Sequence, residues 1–172
     1  MPTYTPIAQE DFVAAVQTLA AQIAADTAWV PSFIIGIGRG GLVPSVFLSH
    51  ASGLPTLSVD YSSQVEDFAR APLERLARRT RDGERLLLID DINDTGGTIE
   101  RIRAILAEHG ADPANLRFAT LIDNVRSAAK VDYRAQIIDR AVTKDWFIFP
   151  WEAVAPETVI AADAAAVPER TA

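Results

Sequence analysis

The 172-residue chain has no cysteine, which excludes disulfide bonds, thiolate metal sites and thiol nucleophiles. Histidine is nearly as scarce. His50 and His109 lie far apart in helical-looking stretches, so neither a histidine metal centre nor a serine-histidine triad is expected. No apolar run approaches the roughly 20 residues of a membrane-spanning helix. Met1-Pro2-Thr3-Tyr4 puts no basic stretch ahead of an apolar core, so no signal peptide and a cytoplasmic location are expected. Positive charge is also in deficit: 16 Lys and Arg face 23 Asp and Glu, a net charge of −7 with a pI near 4.8. A surface of that sign repels a phosphate backbone, so nucleic acid is not an expected partner.

What the chain does have is a regular alternation of short apolar runs and helical periodicity. Its length and 49% hydrophobic content fit one soluble domain over residues 1–172. Phe12, Val16, Leu19 and Ile23 share a helical face, which predicts a helix over roughly residues 8 to 26. Residues 33–37 read as a strand and Gly38-Arg39-Gly40-Gly41 as a turn. A helix over 42–51 follows, with Pro44 in its first turn and Gly53 closing it. Further strands are expected at 56–60, 86–89, 117–122 and 135–139, with a helix ending near Gly110 between the third and fourth. This order predicts an α/β fold with a largely parallel sheet flanked by helices. Two segments break the pattern. Residues 61–82, with Arg70, Arg75, Arg78, Arg79 and Arg81, read as a mobile excursion of the kind that forms lids, or as a solvated basic helix. The alanine-rich stretch 155–172 reads as a loosely packed tail or a short helix.

The most informative stretch is Leu86-Leu87-Leu88-Ile89-Asp90-Asp91-Ile92-Asn93-Asp94-Thr95-Gly96-Gly97-Thr98. Four aliphatics make a buried strand, and Ile99, Ile102, Ile105 and Leu106 begin a helix, so acids and glycines fall in a strand-to-helix turn. Turns of this kind hold ligands in open α/β sheets. Gly96 and Gly97 permit close backbone approach, Thr95 and Thr98 bring hydroxyls, and the helix start offers unpaired N–H groups to a phosphate. Asp90 and Asp91 are placed for ribose hydroxyls or a divalent metal. Helix capping by Asp91 or Asp94 is the structural alternative, and it accounts for one acid and leaves two adjacent carboxylates unexplained. A second glycine cluster competes for attention: Gly36, Gly38 and Gly41 satisfy G-x-G-x-x-G after a strand, and Asp60 ends the next strand. A dinucleotide-binding enzyme therefore stays open as an alternative, although that reading leaves residues 90–98 unexplained.

The 86–98 stretch resembles the motif by which type I phosphoribosyltransferases bind phosphoribosyl pyrophosphate (PRPP). The resemblance implies a type I phosphoribosyltransferase-like fold and transfer of a 5-phosphoribosyl group from PRPP to a nucleobase with release of pyrophosphate. It implies that Arg39 and Gly40 hold pyrophosphate, that Asp90 and Asp91 face ribose and Mg²⁺, and that Asp94, Thr95, Gly96, Gly97 and Thr98 complete PRPP binding. Asp94 is implied as the general base. Residues 61–82 are implied to close over the site, and a homo-oligomer is implied. Lys144-Asp145-Trp146-Phe147-Ile148-Phe149-Pro150-Trp151-Glu152 further resembles the base-binding segment of xanthine-guanine and related purine phosphoribosyltransferases. Trp146 offers a flat π-face there, and backbone groups of Phe147 can bond a purine edge.

One position departs from that pattern. Members acting on 6-oxopurines carry a lysine just after the preceding strand, where this chain has Asp123-Asn124. An ionised Asp123 facing the base would favour an exocyclic amine, as in adenine, unless Asn124, Arg126 or Lys130 supplies a donor. A different base and a PRPP-binding regulator are the corresponding alternatives.

Overall fold

The computed structural model describes residues 3–61 and 67–167. Its main sheet holds five parallel strands: β2 (Phe33–Ile37), β3 (Thr56–Val59), β4 (Leu86–Asn93), β5 (Leu116–Asn124) and β6 (Tyr133–Ile138), in the order β3-β2-β4-β5-β6. A separate two-stranded parallel ribbon pairs β1 (Tyr4–Pro6) with β7 (Trp146–Ile148). The chain starts the main sheet at β2, adds β3 on one side, then returns to β4 on the other. That reversal opens a crevice beyond the carboxyl ends of β2 and β4, where ligands bind in doubly wound sheets.

Strand alternation divides the core into two layers. Ile34, Leu87, Ile89 and Leu121 point to one face, under Phe12, Val16, Leu19 and Ile23 of α1 (Gln9–Ala25) and Leu48 of α2 (Gly38–Ser52). Ile35, Ile37, Leu86, Leu88 and Phe118 point to the other. There they meet Leu73, Leu76 and Ala77 of α3 (Asp67–Arg81) and Ile99, Ile102 and Leu106 of α4 (Gly97–Glu108). Among the described residues no helix is long and apolar enough to cross a membrane.

Several boundaries differ from the sequence reading. From Asp67 on, the mobile excursion expected over 61–82 is a helix whose Leu73, Leu76, Ala77 and Thr80 are buried, while Arg70, Arg75, Arg78 and Arg81 stay exposed. Its apolar stripe has proper helical spacing but is diluted by arginines, which hid it from a reading by hydrophobic runs. Residues 62–66 lie outside the description. Within 155–172, α5 (Glu157–Ala166) is helical, with Ala164 buried, and residues 168–172 lie outside the description. The expected turn at 38–41 is the first turn of α2, and β4 runs four residues past Ile89 because Asp90, Ile92 and Asn93 keep pairing with β5.

Candidate active site

Two strand-to-helix junctions meet in the crevice. At the first, α2 begins so close to β4 that a Cβ on Gly41 would run into the carbonyl oxygen of Ile89. A glycine there lets the helix start sit against the strand end and sets Arg39 and Gly40 beside the acids. A Cβ on Gly40 would lie 2.5 Å from Asp91 Oδ2. At the second junction, Gly96 takes φ 93°, a left-handed value that L side chains rarely adopt, and leads directly into α4. Asp90, Asp94, Thr95, Gly96, Gly97 and Thr98 line a shallow groove at this helix start. The backbone thus presents N–H groups to an anion at the positive end of the helix dipole.

The groove adjoins a cavity of about 460 Å³ that shares Asp90 and Thr98 and is bounded by Arg39, Gly40, Tyr61, Asp91 and Trp151. Its far wall comes from Glu152, the end of the segment singled out in the sequence, and from Val159, Ile160 and Asp163 of α5, which carry no functional signal there. Asp90, Asp91, Glu152 and Asp163 set four carboxylates against Arg39, the one cation among the described lining residues. Burial pushes the Glu152 carboxyl above the usual range, and nearby Asp163 adds to the effect. The Phe149 N–H (2.8 Å) and Arg39 oppose it. Each of the paired acids accepts a hydrogen bond from the next residue's backbone: Asp91 N–H to Asp90 (3.0 Å) and Ile92 N–H to Asp91 (2.7 Å). This orients both carboxylates at the strand end.

Where β5 and β6 end beside Asp94 the outcome is different. Asp94 is buried, and both its oxygens accept from Arg140, Nε to Oδ1 and Nη2 to Oδ2, each at 2.9 Å. Arg140 is buried too and lies with its guanidinium carbon 5.3 Å from the centroid of the Phe147 ring. Its Nη1 donates to the carbonyls of Thr143 (3.2 Å) and Asp145 (2.7 Å). Asn124 ties the pair together: its Nδ2 donates to the Asp94 carbonyl (2.8 Å), and its Oδ1 accepts from Arg140 N–H (3.1 Å).

Asp123, expected from the sequence beside the base, makes its contacts outside this group. Along β5, Asp123 and Asn124 point to opposite faces. Asp123 pairs across the ladder with Asn93, whose Nδ2 donates to its Oδ1 at 2.8 Å, and Arg134 stands 3.6 Å from its Oδ2. Arg126 is spent on Asp139, and Lys130 donates to the carbonyls of Val125 and Ser127. Of the alternative donors named from sequence, Asn124 alone faces Asp94. Arg140 carried no sequence signal, because a single arginine in a loop resembles any surface charge.

Trp146 and Phe147 are both half-buried on β7, at adjacent positions whose side chains alternate. Trp146 N–H bonds to the Thr3 carbonyl (2.7 Å) and the Ile148 carbonyl accepts from Ile7 (2.8 Å), both toward β1. Alternation turns the N–H and C=O of Phe147 to the opposite edge. Thr5 Oγ1 anchors the segment by donating to Asp145 (2.7 Å).

Known proteins agree with this architecture. The family model described as "Phosphoribosyl transferase domain" matches residues 5–157. A xanthine-guanine phosphoribosyltransferase of Nitratidesulfovibrio vulgaris is 30% identical over 123 residues, 69% of this chain and 68% of that protein. A purine phosphoribosyltransferase from Pyrococcus horikoshii superposes with a TM-score of 0.62 at 24% identity, covering 89% of this chain and 97% of the other. A Neisseria gonorrhoeae protein with bound ppGpp superposes with a TM-score of 0.69 at 21% identity, covering 96% and 98%.

Proposed function

This chain belongs to the phosphoribosyltransferase domain family, and from that premise we propose that it moves the 5-phosphoribosyl group of PRPP onto a purine, releasing pyrophosphate. The observation that carries the reading is the meeting of Arg39, Asp90, Asp91 and Thr98 around one cavity at the sheet's reversal point. The α4 start and the 94–98 turn hold the 5-phosphate. Arg39 and the adjoining backbone N–H groups hold the pyrophosphate oxygens as charge develops on them. Asp94 accepts the proton that the base loses on attack, and Phe147 presents its backbone edge, with Trp146, to the base.

Magnesium fits the acidic pair. Among the described residues no cluster of three or more side chains forms a metal cage. Mg²⁺ binds through one or two carboxylates plus substrate phosphate oxygens, which is the donor set that Asp90, Asp91 and PRPP provide together. When bound, the ion supplies neutralising charge to the leaving group. The four carboxylates around the cavity make that charge necessary for an anionic substrate. Leu42, Val46 and Phe47 of α2 and Leu57 of β3 are exposed apolar residues, which supports association of two or more copies.

A pyrophosphate-release assay with PRPP, Mg²⁺ and a panel of nucleobases tests the reaction, and calorimetry of PRPP with and without chelator tests the metal. Release that depends on both a purine and Mg²⁺ is expected. Absence of release with every base rejects transferase activity, and equal PRPP affinity in chelator removes the metal.

A further inference from the structure

We propose that Arg140 is the residue that reads the 6-position of the base and selects oxo over amino substituents; the assignment rests on the purine-transfer reading above. Its geometry is set by the group around Asp94. A guanidinium has five N–H donors. Four of those of Arg140 have partners: two go to Asp94, one to Thr143 and one to Asp145. The fifth, on Nη2, has none among the described residues, and it belongs to the nitrogen that already bonds Asp94 Oδ2. The pair therefore sets a donor beside an acceptor, both fixed by burial.

A 6-oxopurine protonated at N7 carries the complementary pattern along that edge, an N7–H donor next to the O6 acceptor. The carboxylate of Asp94 meets N7–H, and Arg140 meets O6 with a charge-assisted bond. Adenine replaces O6 by an amine, so a donor would meet a donor beside a buried ion pair, a mismatch that a built polar site rejects strongly. Asn124 gives one of its two amide N–H groups to the Asp94 carbonyl and its oxygen to Arg140 N–H, and the N–H left over is neutral, whereas Arg140 brings a charge-assisted donor. The role of Asn124 is to hold the two chain segments in register. Phe147, packed under the guanidinium, keeps the plane of Arg140 from tilting away.

The test compares kcat/KM for hypoxanthine, guanine, xanthine and adenine in the wild type, Arg140→Lys and Arg140→Met. The wild type is expected to favour the 6-oxopurines, Arg140→Lys to retain that order, and Arg140→Met to lower the hypoxanthine-to-adenine ratio roughly ten- to a hundred-fold. Arg140→Met leaves a buried carboxylate unpaired and can unfold. The double variant Asp94→Asn with Arg140→Met removes that charge, and its relative affinity for IMP and AMP is measured by calorimetry against Asp94→Asn alone. The same fall in preference is expected there. A preference unchanged within about twofold in both comparisons, or a wild type that uses adenine at least as well as hypoxanthine, overturns the role of Arg140 while leaving transferase activity in place. A wild type that uses none of the four bases rejects the purine reading, and this assignment with it.

Discussion

The two halves of the site are built in opposite ways. The half proposed to hold phosphate comes from contiguous chain: β4, the turn at 94–96 and the start of α4 present backbone N–H groups, and the start of α2 adds Arg39. The half proposed to hold the base is made of side chains brought from separate places: Asp94 after β4, Asn124 at the end of β5, Arg140 after β6 and Phe147 on β7. A backbone cradle depends on local conformation and tolerates many side chains. A buried side-chain network depends on every partner, so on the proposed roles change there would alter which base is used without altering how PRPP is held. The contrast predicts that substitutions in the first half act on anion affinity and those in the second on turnover and base choice.

Asp94 sits where the halves join and should show the largest effect. Asp94→Asn keeps a carbonyl for Arg140 but removes the proposed proton acceptor, and turnover should fall roughly 10²–10⁴-fold. PRPP affinity by calorimetry should stay near wild type. Loss of affinity in step with turnover would merge the two halves into one.

Gly96→Val tests the backbone half. A side chain there is strained at φ 93°, and its Cβ would lie 2.5 Å from the Ala129 backbone nitrogen and 2.8 Å from Ser127 Oγ. Strain and crowding together should cost about 1–3 kcal/mol of stability and weaken nucleoside monophosphate binding, read by chemical denaturation and calorimetry. The ratio of affinities for IMP and AMP should not move, because nothing on the base side has changed.

Asp123→Asn sharpens the boundary from the other side. Its contacts with Asn93 and Arg134 predict a loss of about 1 kcal/mol or less in stability, with no change in base preference. A switch in base preference would put Asp123 back beside the base.

The smallest effect concerns pH. Because the folded-state value of Glu152 is raised by burial, the proton it holds stabilises the fold fully below the ordinary glutamate range. That contribution is lost as pH rises through the raised value. Glu152→Gln imitates the protonated form, so it should be more stable than wild type near neutrality. The difference should vanish on acidification to below the ordinary glutamate value. Denaturation midpoints of both proteins across that range are the measurement, and a difference independent of pH would detach Glu152 from the titration.

The sequence by itself determined the strand, turn and helix start of the proposed phosphate half and the sheet that carries them. Leu86–Ile89, the acids and Gly96-Gly97 lie in one short stretch, so their placement follows from a single strand, a single turn and a single helix start, which local rules describe well. The same holds for α1, whose Phe12, Val16, Leu19 and Ile23 repeat at the spacing of the face they bury. The tertiary structure alone decided the rest. Arg140 and Asp94 are 46 positions apart, and only the parallel order of β4, β5 and β6 brings their side chains together. Which of Asp123 and Asn124 faces Asp94 depends on a strand register in which a shift of one residue exchanges the faces. The closing wall from α5 has no sequence signature either, because an alanine-rich helix acquires a function only from the cavity against which it folds.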